Sequence, residues 1–244
     1  FLLRTVCQLG LVTACSLLIN AHAQSLTASE DQWLRDFDTF FQASAMMDLV
    51  PGAAYVVVNR HGIMQMGTFG YANPKQADLV TPNTVFRVAS VSKTFASTLT
   101  GLLVEEGKLN WQQPITQHAP NFRIKGRTEN IHLDHILSQS TGLPAYAYDN
   151  FIEEGLPFPN ILSKFRQLSP VCSPGECYTY QNSAFSLIQH AVENVSDKSY
   201  GELLQERIFQ PLEMNHASVG FKNFLQQPDH AQPHVRSRGQ WRAT

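Results

Sequence analysis

The sequence predicts an α+β fold. It consists of an antiparallel sheet flanked by helices and, in addition, an all-helical region. Two patterns predict this fold. Residues 54–58 and 63–71 are rich in β-branched and aromatic side chains, and residues 60–62 separate them as a hairpin turn would. From residue 90 onwards, apolar residues recur at helical spacing between loops rich in proline and glycine.

Each helix is predicted by its own apolar stripe and end signals. The first helix carries aromatic residues at helical spacing and stops before a Pro-Gly pair. The helix that opens at Ser90 has an apolar face and ends where Gly107 occupies the C′ position. Ser199 and Glu202 form a capping box that starts the last helix. The predicted helices span residues 29–50, 90–106, 133–137, 183–195 and 199–210.

The composition narrows the function classes. The chain has 244 residues, a length that suits one large domain or two small ones, and 43% of them are hydrophobic, enough for a core. The formal net charge is -2, and charged residues make up 16%, below the ~25% of an average soluble protein. Nucleic acid is therefore disfavoured as a partner, because its binding usually needs a basic patch. The chain has no glycine-rich phosphate loop, and we expect no cofactor.

Residues 1–23 resemble a signal peptide. Arg4 supplies the positive charge, residues 6–19 are mostly apolar, and residues 21–23 form a small-x-small cleavage site. The apolar run is shorter than the ~20 residues of a membrane-spanning helix, so no stable membrane span is expected. The sequence thus predicts a periplasmic or secreted protein whose mature domain comprises residues 24–244.

The cysteines leave two questions open. Residues 12–15, which end at Cys15, resemble a lipoprotein cleavage box, so a lipid anchor is the alternative to signal-peptide cleavage. The apolar run continues past Cys15, which favours cleavage. Cys172 and Cys177 remain in the mature chain, and an oxidising compartment allows them to form a disulfide, although the sequence does not establish its geometry.

The tetrad of residues 90–93, Ser-Val-Ser-Lys, places a hydroxyl and an amine one helical turn apart. Residues at i and i+3 of a helix have β-carbons about 5–6 Å apart. A serine alcohol is a poor nucleophile unless a neighbouring group takes its proton, and a lysine can do so where burial lowers its pKa. Ser90 is therefore a candidate nucleophile, and Lys93 is its candidate partner.

A second candidate motif is Tyr180-Gln181-Asn182. A lysine beside a tyrosine favours the phenolate, which can carry protons to and from a serine. The Asn182 amide can donate to a substrate carbonyl and accept from an amine. The alternative interpretation is that Tyr180 and Asn182 only cap a helix that begins at Ser183.

Five segments, in order along residues 30–220, resemble the class C β-lactamases and their relatives. That wider group includes penicillin-binding proteins, D-aminopeptidases and esterases of the β-lactamase fold. The resemblance is carried by the active-site segment in residues 86–95, by the segment in residues 107–115, by a Ser-Thr-Gly-Leu stretch in residues 135–144, by the Tyr-x-Asn motif in residues 174–182 and by a Pro-Leu-x-Met element in residues 208–214.

The resemblance implies a β-lactamase-like fold and an acyl-serine mechanism. Ser90 would be acylated, Lys93 and Tyr180 would jointly transfer protons, and Asn182 would position the acyl amide. The Ser90 backbone N–H would form half of an oxyanion hole. Tyr146 stands where class C β-lactamases typically carry a glutamine, so an aromatic ring would reshape the acyl pocket. The implied partner is a small acyl substrate: a β-lactam, an ester or a D-amino-acid peptide.

The group's third motif, Lys-Thr-Gly or His-x-Gly on a strand, is absent. Beyond Gln226 the chain is polar, which predicts a loop, so the sequence looks truncated at its C-terminus and its own activity is expected to be low. The leading hypothesis is a class C β-lactamase-like serine hydrolase. The alternatives are an esterase or D-amino-acid peptidase of the same fold, a penicillin-binding sensor without turnover, and an isolated structural module.

His132 and His135 stand at i and i+3 and could share a helix face. A metal site needs three or four ligands, and Asp134 is predicted to point away from that face. We therefore expect no metal at this position.

Overall fold

In the computed structural model, residues 29–47, 49–73 and 75–244 are described, and they form two units. One unit contains the described residues up to Phe86 together with Leu225–Thr244, and the other is Arg87–Phe224. The predicted signal peptide lies outside the described residues. Among the described helices, none has the length and apolar character needed to cross a membrane.

The first unit contains the predicted hairpin. Residues 29–46 are helical and form α1. Three strands follow and form an antiparallel sheet in the order β1-β2-β3, in which Val56 faces Met66 across the first pair. These strands are β1 (Gly52–Asn59), β2 (Gly62–Asn73) and β3 (Asp78–Leu79).

Helix α1 packs on this sheet through Tyr55. The ring of Tyr55 lies edge-on to Phe37 and Phe41, at centroid distances of 4.8 and 4.7 Å. Its hydroxyl donates to Asp38 Oδ1 at 2.7 Å. Gly67 lies opposite this ring, and a β-carbon there would stand 2.3 Å from Tyr55. The predicted first helix is thus confirmed, and two of its aromatic residues, Phe37 and Phe41, pack on the sheet.

The C-terminal segment of the same unit corrects one expectation. Residues after Gln226 were predicted to be loop, but they form a two-stranded antiparallel sheet of β4 (His234–Ser237) and β5 (Gln240–Ala243). Arg238 and Gly239 make the turn with positive φ angles of 51° and 77°, the geometry that suits a two-residue hairpin. The prediction was wrong because the strands are polar and the turn lacks an Asn-Gly or Asp-Gly signal.

The second unit is helical, and its core lies between α2 and the later helices. Leu99 and Leu103 of α2 and Leu187 and Ile188 of α7 are fully buried there. The helices of this region are α2 (Ser92–Glu105), α3 (Leu133–Leu137), α4 (Asp149–Glu153), α5 (Phe158–Lys164), α6 (Asn182–Phe185), α7 (Leu187–Asn194), α8 (Tyr200–Leu204) and α9 (Phe221–Leu225).

Two predicted helix ends are confirmed. Gly107 follows the end of α2 with a φ of 70°, and its N–H donates to the Val104 carbonyl at 2.9 Å. At the start of α8, the Glu202 N–H donates to Ser199 Oγ at 3.3 Å, and the Ser199 N–H donates to Glu202 Oε2 at 2.9 Å. Helix α8 continues as a π-helical turn over Gln205–Phe209.

A disulfide joins Cys172 to Cys177, whose α-carbons are 6.3 Å apart. The disulfide loop runs beside the Ser-Thr-Gly stretch of residues 140–142. The Val171 N–H donates to the Gly142 carbonyl, and the Gly175 N–H donates to the Ser140 carbonyl, each at 2.8 Å. These contacts fix the segment that leads directly into the Tyr-Gln-Asn motif.

Candidate active site

Ser90 and Lys93 lie where the chain enters α2. Ala89–Val91 form a 3₁₀ turn and the α-helix begins at Ser92, two residues later than predicted. Ala89 has a φ of 45°, so the residue before the candidate nucleophile is in the sparsely populated left-handed region. Lys93 Nζ donates to Ser90 Oγ at 3.2 Å, so the hydroxyl and the amine meet as predicted.

Tyr180 and Asn182 complete a four-residue cluster around the amine. The Tyr180 hydroxyl is hydrogen-bonded to Ser90 Oγ at 2.5 Å. Lys93 Nζ donates to the Tyr180 hydroxyl at 2.8 Å and to Asn182 Oδ1 at 2.6 Å. The amine thus contacts three side chains, and the serine hydroxyl touches both members of the predicted proton-transfer pair.

The charge of Lys93 acts on the phenol. The hydrogen bond from Lys93 lowers the pKa of Tyr180, and the hydrogen bond with Ser90 lowers it further. Burial and the negative charge of Asp149 oppose this shift without reversing it. The phenolate is therefore accessible at a lower pH than for an ordinary tyrosine, and a phenolate 2.5 Å from a serine oxygen can accept its proton.

The structure overturns the interpretation of the motif as a helix cap. Asn182 is the first residue of α6, and its side chain contacts Lys93 rather than capping the helix. The free backbone N–H of Ser183 at this helix end donates instead to Asp149 Oδ1, at 3.1 Å. Asp149 Oδ2 also accepts a hydrogen bond from Asn182 Nδ2, at 2.8 Å. Sequence reasoning missed Asp149 because it precedes Asn182 by 33 positions, beyond any local pattern.

Tyr146 lies beside this cluster, as the sequence predicts. Its ring centroid is 5.6 Å from that of Tyr180, and its side chain is 64% exposed. Its backbone N–H donates to the Tyr180 carbonyl at 2.8 Å. An exposed aromatic ring next to Tyr180 can contact the acyl portion of a substrate.

The surroundings of His132 and His135 differ from the prediction. The ligand atoms of His132, Asp134 and His135 all lie within 4.8 Å of one another, so the expectation that Asp134 points away is wrong. Helix α3 already uses two of these atoms: His135 Nδ1 accepts from the His132 N–H at 3.2 Å, and Asp134 Oδ1 accepts from the His135 N–H at 2.8 Å. The capping of a short helix accounts for this cluster.

An antiparallel sheet with helices, together with a Ser-x-x-Lys turn and a Tyr-x-Asn segment, defines the class of serine β-lactamase and penicillin-binding-protein-like folds. Residues 37–244 match the family model described as Beta-lactamase. The chain therefore belongs to the beta-lactamase family.

Two curated proteins are similar to this chain. Protein flp of Staphylococcus aureus (strain NCTC 8325 / PS 47) is 25% identical over 207 residues, which cover 80% of this chain and 40% of flp. The Beta-lactamase of Escherichia coli (strain K12) is 29% identical over 209 residues, covering 85% of this chain and 53% of that protein. The chain thus spans about half, or less, of the length of these curated relatives.

A solved structure supports the fold. The octameric penicillin-binding protein homologue from Pyrococcus abyssi superposes with a TM-score of 0.75 and 24% sequence identity, covering 86% of this chain and 50% of that chain. The α+β, β-lactamase-like fold predicted from the sequence is thus confirmed.

Proposed function

We propose that the protein is an exported serine hydrolase that works through a covalent acyl-serine intermediate, as class C β-lactamases do. The observation that carries the proposal is the triple contact of Lys93 Nζ with Ser90 Oγ, Tyr180 and Asn182. One amine thereby holds the candidate nucleophile, a phenol with a lowered pKa and an amide in a single hydrogen-bonded group.

The geometry supports a two-step reaction. Ser90 Oγ bonds to the substrate carbonyl carbon while its proton passes to the Lys93–Tyr180 pair, which then protonates the leaving nitrogen or oxygen as that bond breaks. The Ser90 backbone N–H is a donor for the carbonyl oxygen, whose negative charge develops in this step. In the second step water attacks the acyl carbon, the pair takes the water proton, and Ser90 Oγ recovers a proton as it leaves.

The substrate we favour is an amide of the β-lactam type, but Tyr146 supports a second candidate. An exposed ring 5.6 Å from the Tyr180 ring offers an apolar surface to the substrate where class C β-lactamases typically have a polar glutamine. This difference favours an esterase or D-amino-acid peptidase as the second candidate. Rates of hydrolysis of a chromogenic cephalosporin, a p-nitrophenyl ester and a D-alanyl peptide distinguish these activities. Acylation by penicillin without turnover of any of the three would favour a penicillin-binding sensor.

Covalent labelling tests the nucleophile, because the probe stays attached to the residue whose oxygen has attacked it. A fluorescent penicillin or a fluorophosphonate should label the protein, with the adduct on Ser90 in peptide maps. The S90A variant should lose the label, and S92A, which removes the other hydroxyl of the tetrad, should keep it. An adduct on Ser92, or no adduct with either probe, would overturn the assignment.

Export is part of the proposal and has its own test. Mass spectrometry of protein recovered from the periplasm should find an N-terminus near Gln24, as the cleavage site at residues 21–23 predicts. A chain that begins at a lipid-modified Cys15 would instead support the lipoprotein alternative.

A further inference from the structure

Asp149 makes two hydrogen bonds at the edge of the candidate active site. It begins helix α4, and its side chain is half-buried. One carboxylate oxygen accepts from the Asn182 side-chain amide at 2.8 Å, and the other accepts from the Ser183 backbone N–H at 3.1 Å. The carboxylate therefore holds both the side chain of Asn182 and the start of the helix that carries it.

These contacts decide which way the Asn182 amide points. A primary amide has a donating NH₂ end and an accepting oxygen end, and an ionised carboxylate can only accept. Asp149 therefore selects the NH₂ end, and the oxygen is left facing Lys93 Nζ at 2.6 Å. With the amide reversed, its oxygen would face the Asp149 carboxylate and its NH₂ would face an amine that also donates, so both contacts would be lost.

The backbone around Asp149 is fixed to the backbone around Asn182. The Tyr146 N–H donates to the Tyr180 carbonyl at 2.8 Å, and Ser183 Oγ donates to the Ala147 carbonyl at 2.6 Å. The two segments are thus joined at two further points, which lie just before Asp149 on one segment and on either side of Asn182 on the other. These bonds hold the Asp149 carboxylate close to the Asn182 amide.

We propose that Asp149 is a positioning residue of this site: it orients the Asn182 amide so that its oxygen holds the Lys93 amine against Ser90 and Tyr180. The proposal rests on the proposed function and adds to it the group that sets the orientation. Asp149 does not touch the reacting atoms in this arrangement, and it acts through Asn182.

The test is a double-mutant cycle between Asp149 and Asn182, read as the rate at which a fluorescent penicillin labels Ser90. D149A should slow labelling by up to about 10²-fold, the cost of a misplaced catalytic group. D149N keeps an oxygen that can accept from Asn182 and should retain more of the rate. E153A removes a carboxylate from an exposed position on the same helix and should leave the rate unchanged.

The cycle separates positioning from a general structural role. In an N182A background the D149A substitution should cost little further, because residues that act as one unit are not additive. Losses that multiply fully in the double variant would overturn the proposal. Melting temperatures of all variants show which of them fold.

The pH profile gives a second readout. The charge of Asp149 raises the pKa of Tyr180, against the effect of Lys93. The neutral D149N side chain should therefore move the pH at which labelling reaches half its maximum to a lower value, and E153A should not move it.

An NMR measurement keeps this inference distinct from the proposed function. The Asn182 NH₂ signals, assigned by their loss in N182A, should shift and exchange faster in D149A but not in E153A. If the wild-type chain is never labelled and these signals behave as stated, the proposed function fails and the orienting contact stands. If labelling is normal and D149A changes neither the rate nor the signals, the function stands and this inference fails.

Discussion

Gly142 lies directly against the carbonyl oxygen of Cys172, so closely that a β-carbon on Gly142 would stand 2.2 Å from it. The residue also has a φ of +77°, in the left-handed region that favours glycine. The glycine of the Ser-Thr-Gly stretch is thus explained by packing, because it lets the disulfide-bonded loop approach and run on towards Tyr180.

We expect Gly142→Ala to destabilise the protein more than Gly155→Ala. Both positions have nearly the same φ, +77° and +75°, but a β-carbon at Gly155 has nothing within 4 Å. The left-handed conformation alone costs roughly 1–2 kcal/mol for a residue with a β-carbon, and the clash with Cys172 adds to this at Gly142. Urea unfolding of the two variants measures the difference, and equal losses would show that the clash relaxes without cost.

Lys93 and Tyr180 should behave as one unit in catalysis. Lys93→Met, Tyr180→Phe and the double variant should reduce the rate of Ser90 labelling to a similar extent, because each breaks the same proton-transfer pair. In Lys93→Met the pKa of Tyr180 should also rise, since its largest lowering contact is gone. Labelling rates against pH test both statements, and fully additive losses would assign the two residues independent roles.

Glu106 should contribute to stability in a pH-dependent way. Hydrogen bonds from Arg207 and then Lys108 lower the pKa of Glu106 from 4.5 to about 2. Because the folded-state pKa is below the unfolded one, this contribution is complete above about pH 4.5 and is lost as the pH falls towards 2. Glu106→Gln should therefore lower the melting temperature at pH 7, and the difference from wild type should shrink by pH 3. A difference that is constant with pH would contradict this.

The contribution of the Ser199 N-cap of α8 to the free energy of unfolding should be measurable with single substitutions. Ser199→Ala removes the oxygen that accepts from the Glu202 N–H and should cost about 1 kcal/mol of stability, the usual value for an N-cap. Ser199→Thr keeps a hydroxyl at the same position and should cost less. Denaturant titration of both variants checks the ranking, and equal losses would mean that the hydroxyl does not act as the cap.

The sequence allowed the centre of the site to be predicted, because its signals are local. Ser90 and Lys93 are one helical turn apart, so their meeting follows from helix geometry. Tyr180 was placed beside them by resemblance to a family, and the 2.5 Å contact with Ser90 agrees with that placement. Asp149 could not be predicted in the same way, since its contact with Asn182 depends on how the starts of two helices far apart in sequence pack together.

The fold was predictable to a similar degree. The β1–β2 hairpin is rich in β-branched and aromatic residues, α2 has apolar residues at helical spacing, and both elements are confirmed. The β4–β5 hairpin lacks a comparable apolar pattern, because its strands are half-exposed and polar. The turn between β4 and β5 depends on Arg238 in a conformation that residue types other than glycine and asparagine seldom adopt. The sequence pattern therefore does not predict this turn.

The bond between Cys172 and Cys177 ends three positions before Tyr180. A chain made in a reducing cytoplasm carries two thiols at these positions instead, and the loop that delivers the phenol to Ser90 then loses a covalent constraint. The position of the Tyr180 hydroxyl beside Ser90 would then depend in part on whether this bond has formed. A reduced chain would therefore hold Tyr180 beside Ser90 less firmly than a chain in which the disulfide is intact.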